Sequence, residues 1–204
     1  MSDPSAATAA PARPTLLSAL LPDRITGYTR VLAWLLLISN IVIVGTGGLV
    51  RLTGSGMGCE TWPYCTSESL VPTPELGVHG LIEFGNRTLT GVLVIVALLA
   101  FLSVVRLWNT RPELPRLTLA VGIGIILQAV VGGVTVWLHL HPAIVGLHYL
   151  ISAALVALAA AYVARVCAEP GPRRLAVPRR YAALVHATSV VVLITVVIGI
   201  LLTG

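Results

Sequence analysis

The chain has 204 residues, 56% of them hydrophobic and only 10% charged, with a formal net charge of +5 at pH 7. That balance is too apolar for an ordinary soluble domain, and no solvated basic surface of the kind that binds nucleic acid is present. All thirteen basic residues are Arg, and their placement reports topology rather than a charged ligand.

Residues 1–30, rich in Ala, Pro and Ser, read as a loose cytoplasmic tail, in which LLSALL at 16–21 is too short to span a bilayer. Five later segments reach the roughly 20 apolar residues that a spanning helix needs. They are Val31–Val50, Val78–Val105, Leu117–Leu138, Ala143–Val166 and Tyr181–Thr203. Their long Gly/Ala/Val/Leu runs lack the alternation of a membrane barrel, and irregular backbone cannot face lipid. The predicted fold is therefore all-α: a polytopic membrane helical bundle of five spans.

Arg13, Arg24 and Arg30 precede the first span. Arg106, Arg111 and Arg116 lie around the second-to-third connection, and Arg165, Arg173, Arg174, Arg179 and Arg180 around the fourth-to-fifth. The other two connections hold only Arg51. The positive-inside rule then predicts a cytoplasmic N-terminus, outer loops at 51–77 and 138–142, and a multi-pass protein of the cell membrane.

The spans contain a weak repeat. The first ends GTGGLVRLTGSG (Gly45–Gly56) and the third VVGGVTV (Val130–Val136), and each leads into a span with a His near its outer end. This predicts that residues 31–166 form a four-helix bundle with a pseudo-twofold axis along the membrane normal, the halves framing a binding site. Residues 167–180 then form a cytoplasmic loop. Residues 181–204 are expected to begin a second half that is truncated, the alternative being a natural five-helix protein. Ala129 with Gly133, and Gly45 with Gly48, read as close helix contacts, the alternative being that such glycines make room for a flat macrocycle.

Ionisable groups at membrane depth are costly and mark function. The second span opens with His79, Glu83, Asn86 and Arg87, of which the first three share a face; the fourth carries His148 near its outer end. Two His from two helices near one surface can ligate a haem iron from opposite faces, whereas zinc would require further ligands. The competing reading of each His is an interhelical hydrogen bond. Glu83 forms an (i, i+4) ion pair with Arg87 or serves as a buried proton-handling carboxyl. In the latter case Arg87 is left for an anion such as a haem propionate. Arg51 is a second such cation, or an interfacial snorkelling residue. Gln128 reads as an interhelical hydrogen-bonding group, His139 and His141 as solvated, and His186 as lying at the wrong depth. Cys59 and Cys65 share the outer loop, as a structural disulfide or as a reducible pair; Cys167 lies on the other side.

Together, VGTGGLVRLTGSGMGCETWPYC, HGLIEFGNRTLTG and LQAVVGGVTVWLHLHPAIVGLHYLISAAL resemble the haem A synthase family, in its actinobacterial form. The likeness covers residues 31–166 well and 181–204 loosely. It implies an eight-helix enzyme of two four-helix halves that oxidises the C8 methyl of haem O to a formyl for cytochrome oxidase. One half holds the substrate haem and the other a haem b cofactor, each through His of its second and fourth helices. This chain then corresponds to the substrate half, with haem b expected mainly in the half it lacks, and so to an oxidoreductase that is inactive as this piece alone. The resemblance further implies His79 and His148 on the iron, a catalytic Glu83, Arg87 and Arg51 at the haem, and a Cys59–Cys65 disulfide. Haem O synthase and a membrane electron donor are the implied partners, and an oligomer is compatible with it. Asn86 departs from the family pattern by standing where a ligand His is usual, so His79 is expected to replace it, the alternative being His148 as the sole protein ligand. The alternative reading is a membrane b-type cytochrome or haem carrier without oxidation chemistry.

Overall fold

The computed structural model describes residues 20–169 and 177–203, with side chains to residue 200 of the last helix. Residues 1–19 of the predicted tail, with Arg13, and residues 170–176 of the predicted loop, with Arg173 and Arg174, lie outside the described residues.

Five long helices carry the fold: α1 (Gly27–Leu52), α2 (Gly77–Leu102), α3 (Glu113–Trp137), α4 (Pro142–Cys167) and α5 (Arg179–Thr203). All five are long and apolar enough to cross a membrane. Within lipid the chain must satisfy its own backbone, and uninterrupted helices of about this length do so. The chain is thus a polytopic all-α membrane protein, with helices within a few residues of the predicted spans.

The helix ends differ from expectation for local reasons. The chain turns helical at Gly27, so residues 27–30 belong to α1 rather than to a tail. Thr26 starts it with a capping box: Thr26 Oγ1 accepts from Thr29 N, and Thr29 Oγ1 accepts from Thr26 N, each at 3.3 Å. At the other boundary α2 stops at Leu102, short of the expected Val105, which lies in a separate 3-10 turn, Val105–Leu107. Ser103 Oγ donates back to Ala100 O at 2.8 Å and helps close the α2 end.

Helices α1 to α4 pack as a ring in chain order, and α4 closes it on α1. Its apolar core is built from Leu32, Ala33 and Leu36 of α1, Leu93, Ala97 and Ala100 of α2, Val121 and Ile125 of α3, and Leu155, Ala159 and Tyr162 of α4. They run from the middle of the helices, at Ile125 and Leu155, to one end, here termed the arginine end. There Arg111 ties the connections together: its Nε meets Glu113 Oε1 at 2.6 Å, and its NH2 donates to Arg165 O at 2.8 Å, in the last turn of α4. Such a cation favourably meets the carbonyl end of a helix. Helix α5 leans on α4 where Ile200 abuts Gly146, and its apolar side chains Val190–Ile194 are exposed.

The opposite end, here the loop end, is filled differently. Toward it the helices bury few large side chains, and a groove of about 250 Å³ opens along the α1–α4 seam, lined by Ile41, Val44, Tyr149, Ala153 and Val156. The expected close contacts at Gly45 and Gly48 are not formed, because a Cβ at either would meet nothing within 4 Å. Both glycines are exposed, and among the described residues no neighbouring helix comes within 4 Å of a Cβ placed at either.

Candidate functional site

The segment between α1 and α2 folds over the loop end as a lid. Gly54 turns it at φ +65°, a conformation that suits glycine. Gly56 then sits under Leu140 of the α3–α4 turn, where an added Cβ would fall 2.9 Å from Leu140 Cδ1. Gly58 lies so close to the carbonyl of His79 that any side chain there would collide. Beyond it Cys59 and Cys65 are fully buried with their Sγ atoms at disulfide distance, 2.02 Å. Between them Trp62 reaches across to α3: a Cβ on Gly133 would fall 2.6 Å from its indole, which also meets Trp137 edge-on at 5.6 Å between centroids. The sequence predicts a neighbouring helix against Gly133; the residue receives this loop indole instead.

Glu83 and Arg87 anchor the lid from below. Glu83 is buried, at 6% exposure. Its Oε2 accepts from the Cys59 amide at 2.8 Å, and its Oε1 meets Arg87 NH2 at 2.5 Å. Arg87 NH1 donates to Thr61 O at 2.9 Å and Tyr64 O at 3.1 Å, and NH2 also points to Cys59 O at 3.5 Å. The (i, i+4) ion pair expected from the sequence is present, and the two side chains also satisfy the backbone of the Cys59–Cys65 turn. A guanidinium suits this task because its donors fan out in a rigid plane.

His148 stands beneath, in the second turn of α4, facing α3. A Cβ on Gly132 would lie 3.1 Å from His148 Cε1, so the missing side chain makes room for the imidazole. Its Nδ1 is buried without a hydrogen-bond partner. Buried polar atoms in native proteins are nearly always paired, and an orphan calls for a reason. Gln128 Nε2 donates to His148 O at 2.7 Å and also to Ser152 Oγ, which holds the α4 backbone at this point against α3. This is the interhelical hydrogen bond expected of Gln128.

His79 occupies the first turn of α2 and is exposed. Its Nδ1 lies 2.9 Å from Ser55 Oγ, which leaves Nε2 as the nitrogen able to meet a ligand. Asn86 lies further along α2 and links it to α1: its Oδ1 accepts from Thr46 Oγ1 at 2.7 Å. Arg51 is exposed in the last turn of α1. His139 and His141 are exposed in the α3–α4 turn, and His186 is exposed on α5 with Nδ1 2.6 Å from Ala182 O. Among the described residues, no three His, Cys, Asp or Glu side chains gather as a metal-holding group.

The structure therefore gathers Glu83, Arg87, Cys59 and Cys65 into one cluster and places His79 beside it through Gly58. His148 sits across the bundle on the α3 side. Few large side chains are buried at this end, Gly132 gives the His148 ring its space, and the unpartnered Nδ1 is the chemistry of an imidazole able to hold a metal-bearing ligand. The sequence alone does not single out Ser55, Trp62 or Thr46. Ser55 stands inside the TGSG run, yet only its burial and its bond to His79 set it apart.

Known proteins are similar to this chain over much of its length. The COX15-CtaA family, described as cytochrome oxidase assembly protein, matches residues 30–78 and 74–204. A heme A synthase of Listeria welshimeri is 35% identical over 127 residues, covering 61% of this chain and 41% of that protein. A heme A synthase of Listeria monocytogenes gives the same figures. A protoheme IX farnesyltransferase of Thermus thermophilus is 40% identical over 92 residues, 44% of this chain and 13% of that protein. The chain thus spans about two-fifths of the length of the heme A synthases it matches. No solved structure matches it.

Proposed function

Because the chain belongs to the COX15-CtaA family of cytochrome oxidase assembly proteins, we propose that it forms the substrate-haem half of a haem A synthase. The substrate would be haem O and the reaction the oxidation of its C8 methyl to a formyl. With dioxygen as oxidant and oxygen source, the methyl would be hydroxylated twice and the product would lose water to give the formyl; each hydroxylation consumes two electrons and two protons, for which a membrane electron donor is proposed. Haem O synthase would supply the substrate, and haem b would belong mainly to the rest of the enzyme. The proposed setting is the cell membrane with the arginine end cytoplasmic. Apart from Arg51 and Arg87, every Arg among the described residues lies in or beside the connections of that end or where the chain enters α1.

The observation that carries the reading is His148. Its Nδ1 is buried without a partner beside Gly132, at the sparsely filled end of the bundle. We assign His148 and His79 as the protein ligands of the substrate iron, each near the loop end of its own helix. The iron of the bound haem supplies the redox-active centre. The chain's own residues hold it: Gly132 makes room, Gln128 fixes the α4 backbone at His148, and the lid keeps water from the apolar interior. Arg51 and Arg87 are the cations at this end and the proposed partners of the haem carboxylates. A propionate meeting Arg87 would compete with Glu83, and that exchange would loosen Glu83 to take part in proton movement.

The reading is tested by co-expressing the chain, joined to the rest of the enzyme, with a haem O synthase and extracting the haems. Haem A, or its hydroxylated precursor, is expected. Purified protein should show a Soret band that His148→Ala abolishes or shifts. A Soret band with redox cycling but no oxidised methyl would favour the cytochrome or carrier reading instead. Absence of any Soret band would remove haem altogether.

A further inference from the structure

The ligand assignment of His79 leaves open how the ring is held with one nitrogen available, and the hydroxyl chain behind it answers that. Ser55 is fully buried where the lid leaves α1. Its backbone is held at both ends, its N–H donating to Val50 O at 2.8 Å and its carbonyl accepting from Gly58 N at 3.0 Å. Gly58 in turn abuts the His79 carbonyl. Ser55 and His79 are therefore located relative to one another by backbone as well as by side chain.

The protons can be followed along the chain. Thr53 Oγ1 has Leu49 O at 2.9 Å and Val50 O at 3.3 Å. Carbonyl oxygens only accept, so the arrangement that avoids setting lone pair against lone pair has Thr53 turn its one proton toward them. Thr53 Oγ1 then accepts at its other contact, which is Ser55 Oγ at 2.7 Å. Ser55 commits its proton to Thr53. At its remaining contact, His79 Nδ1 at 2.9 Å, Ser55 Oγ must accept. In this arrangement His79, whose ring is exposed, carries its proton on Nδ1 and keeps its lone pair on Nε2.

We propose that Ser55, backed by Thr53, is a positioning residue that holds His79 in the Nδ1–H tautomer and aims its Nε2 lone pair at the substrate iron. This rests on the proposed role of His79 as an iron ligand. Metal-binding imidazoles commonly donate their second N–H to a fixed acceptor, which sets ring orientation and raises ligand basicity. Here the acceptor is a hydroxyl whose own proton is directed away by a second hydroxyl and a helix carbonyl. The order of groups, Leu49 carbonyl to Thr53 to Ser55 to His79, runs from the last turns of α1 through the lid to the first turn of α2.

The test has one part without haem and one with it. The protein, in lipid nanodiscs and with nitrogen-15 in its imidazoles, is observed by NMR, His79 being assigned by its loss in His79→Gln. The wild type should show protonated Nδ1. Ser55→Ala should move the ring toward the Nε2–H form, and Ser55→Thr, which keeps the hydroxyl, should restore the first. In haem titrations Ser55→Ala should weaken binding roughly tenfold or more, as loss of such a partner typically does, with Ser55→Thr again restoring it. A wild-type ring protonated on Nε2 would overturn the proposal. So would a Ser55→Ala variant that binds haem as wild type does while His79→Ala changes the bound spectrum. If His79→Ala leaves that spectrum unchanged, the proposal falls through its premise, and the nitrogen signals show whether the hydroxyl chain itself stands.

Discussion

Replacing Arg87 by Ala is the sharpest perturbation of the lid. In the structure its guanidinium joins Glu83 Oε1 at 2.5 Å to Thr61 O at 2.9 Å and Tyr64 O at 3.1 Å. Hydrogen bonds to a charged group contribute about 1.5–3 kcal/mol each, but they do not add, and water replaces part of what is lost. Removing one partner of a buried ion pair costs about 3–5 kcal/mol. The side chains of Arg87 and Glu83 are 21% and 8% exposed, so the lower end applies. About 3 kcal/mol is expected, and it falls on the lid rather than on the distant core, because local opening does not require the bundle to unfold. At about 1.4 kcal/mol per tenfold, the open lid becomes roughly a hundredfold more populated. Cys59 and Cys65 are fully buried, so a soluble reductant reaches them through that open state. The assay is the rate at which thiols appear at fixed reductant concentration. Oxidised wild type should label only at Cys167, which is exposed. Arg87→Ala should gain two further thiols roughly a hundred times faster than wild type. Glu83→Gln should act in the same direction, and the double variant should fall short of the summed effects, since both residues belong to one network. A wild-type rate for Arg87→Ala would refute the clamp.

Two further outcomes probe the haem side. Gly132→Leu should abolish haem binding while leaving the helical content unchanged by circular dichroism, because even a Cβ there lies 3.1 Å from His148 Cε1; a normal Soret band in this variant would place the haem elsewhere. Asn86→Leu should cost about 0.6 kcal/mol, the average for an interhelical hydrogen bond within a membrane protein, through loss of the Thr46 contact. It should also leave the spectrum of bound haem unaltered, and a shifted spectrum would return Asn86 to the iron's surroundings.

The candidate site was legible in unequal parts. His148 stood out because a His within an apolar run is rare, and Glu83 with Arg87 because their spacing makes an ion pair on any helix. What that pair holds was not legible. The acceptors are carbonyls of Thr61 and Tyr64, more than twenty residues away along the chain, and a backbone carbonyl carries no signature in sequence. Gly133 reads as a packing residue from its spacing to Ala129, and nothing in the sequence separates it from its neighbour Gly132. One faces an imidazole and the other a loop tryptophan, a difference set by which way two consecutive helical positions point, about 100° apart.

The sequence by itself determined the number, length and character of the helices. The bilayer fixes how many apolar residues cross it, and backbone groups unable to meet water must pair within each segment. Those constraints are local and are written in composition. The lid was decided only by tertiary structure. Its Trp62 rests on α3, its Cys59 amide on Glu83 of α2, and its Ser55 on His79. Each contact joins residues that sequence separates and that only the packed ring of helices brings within reach.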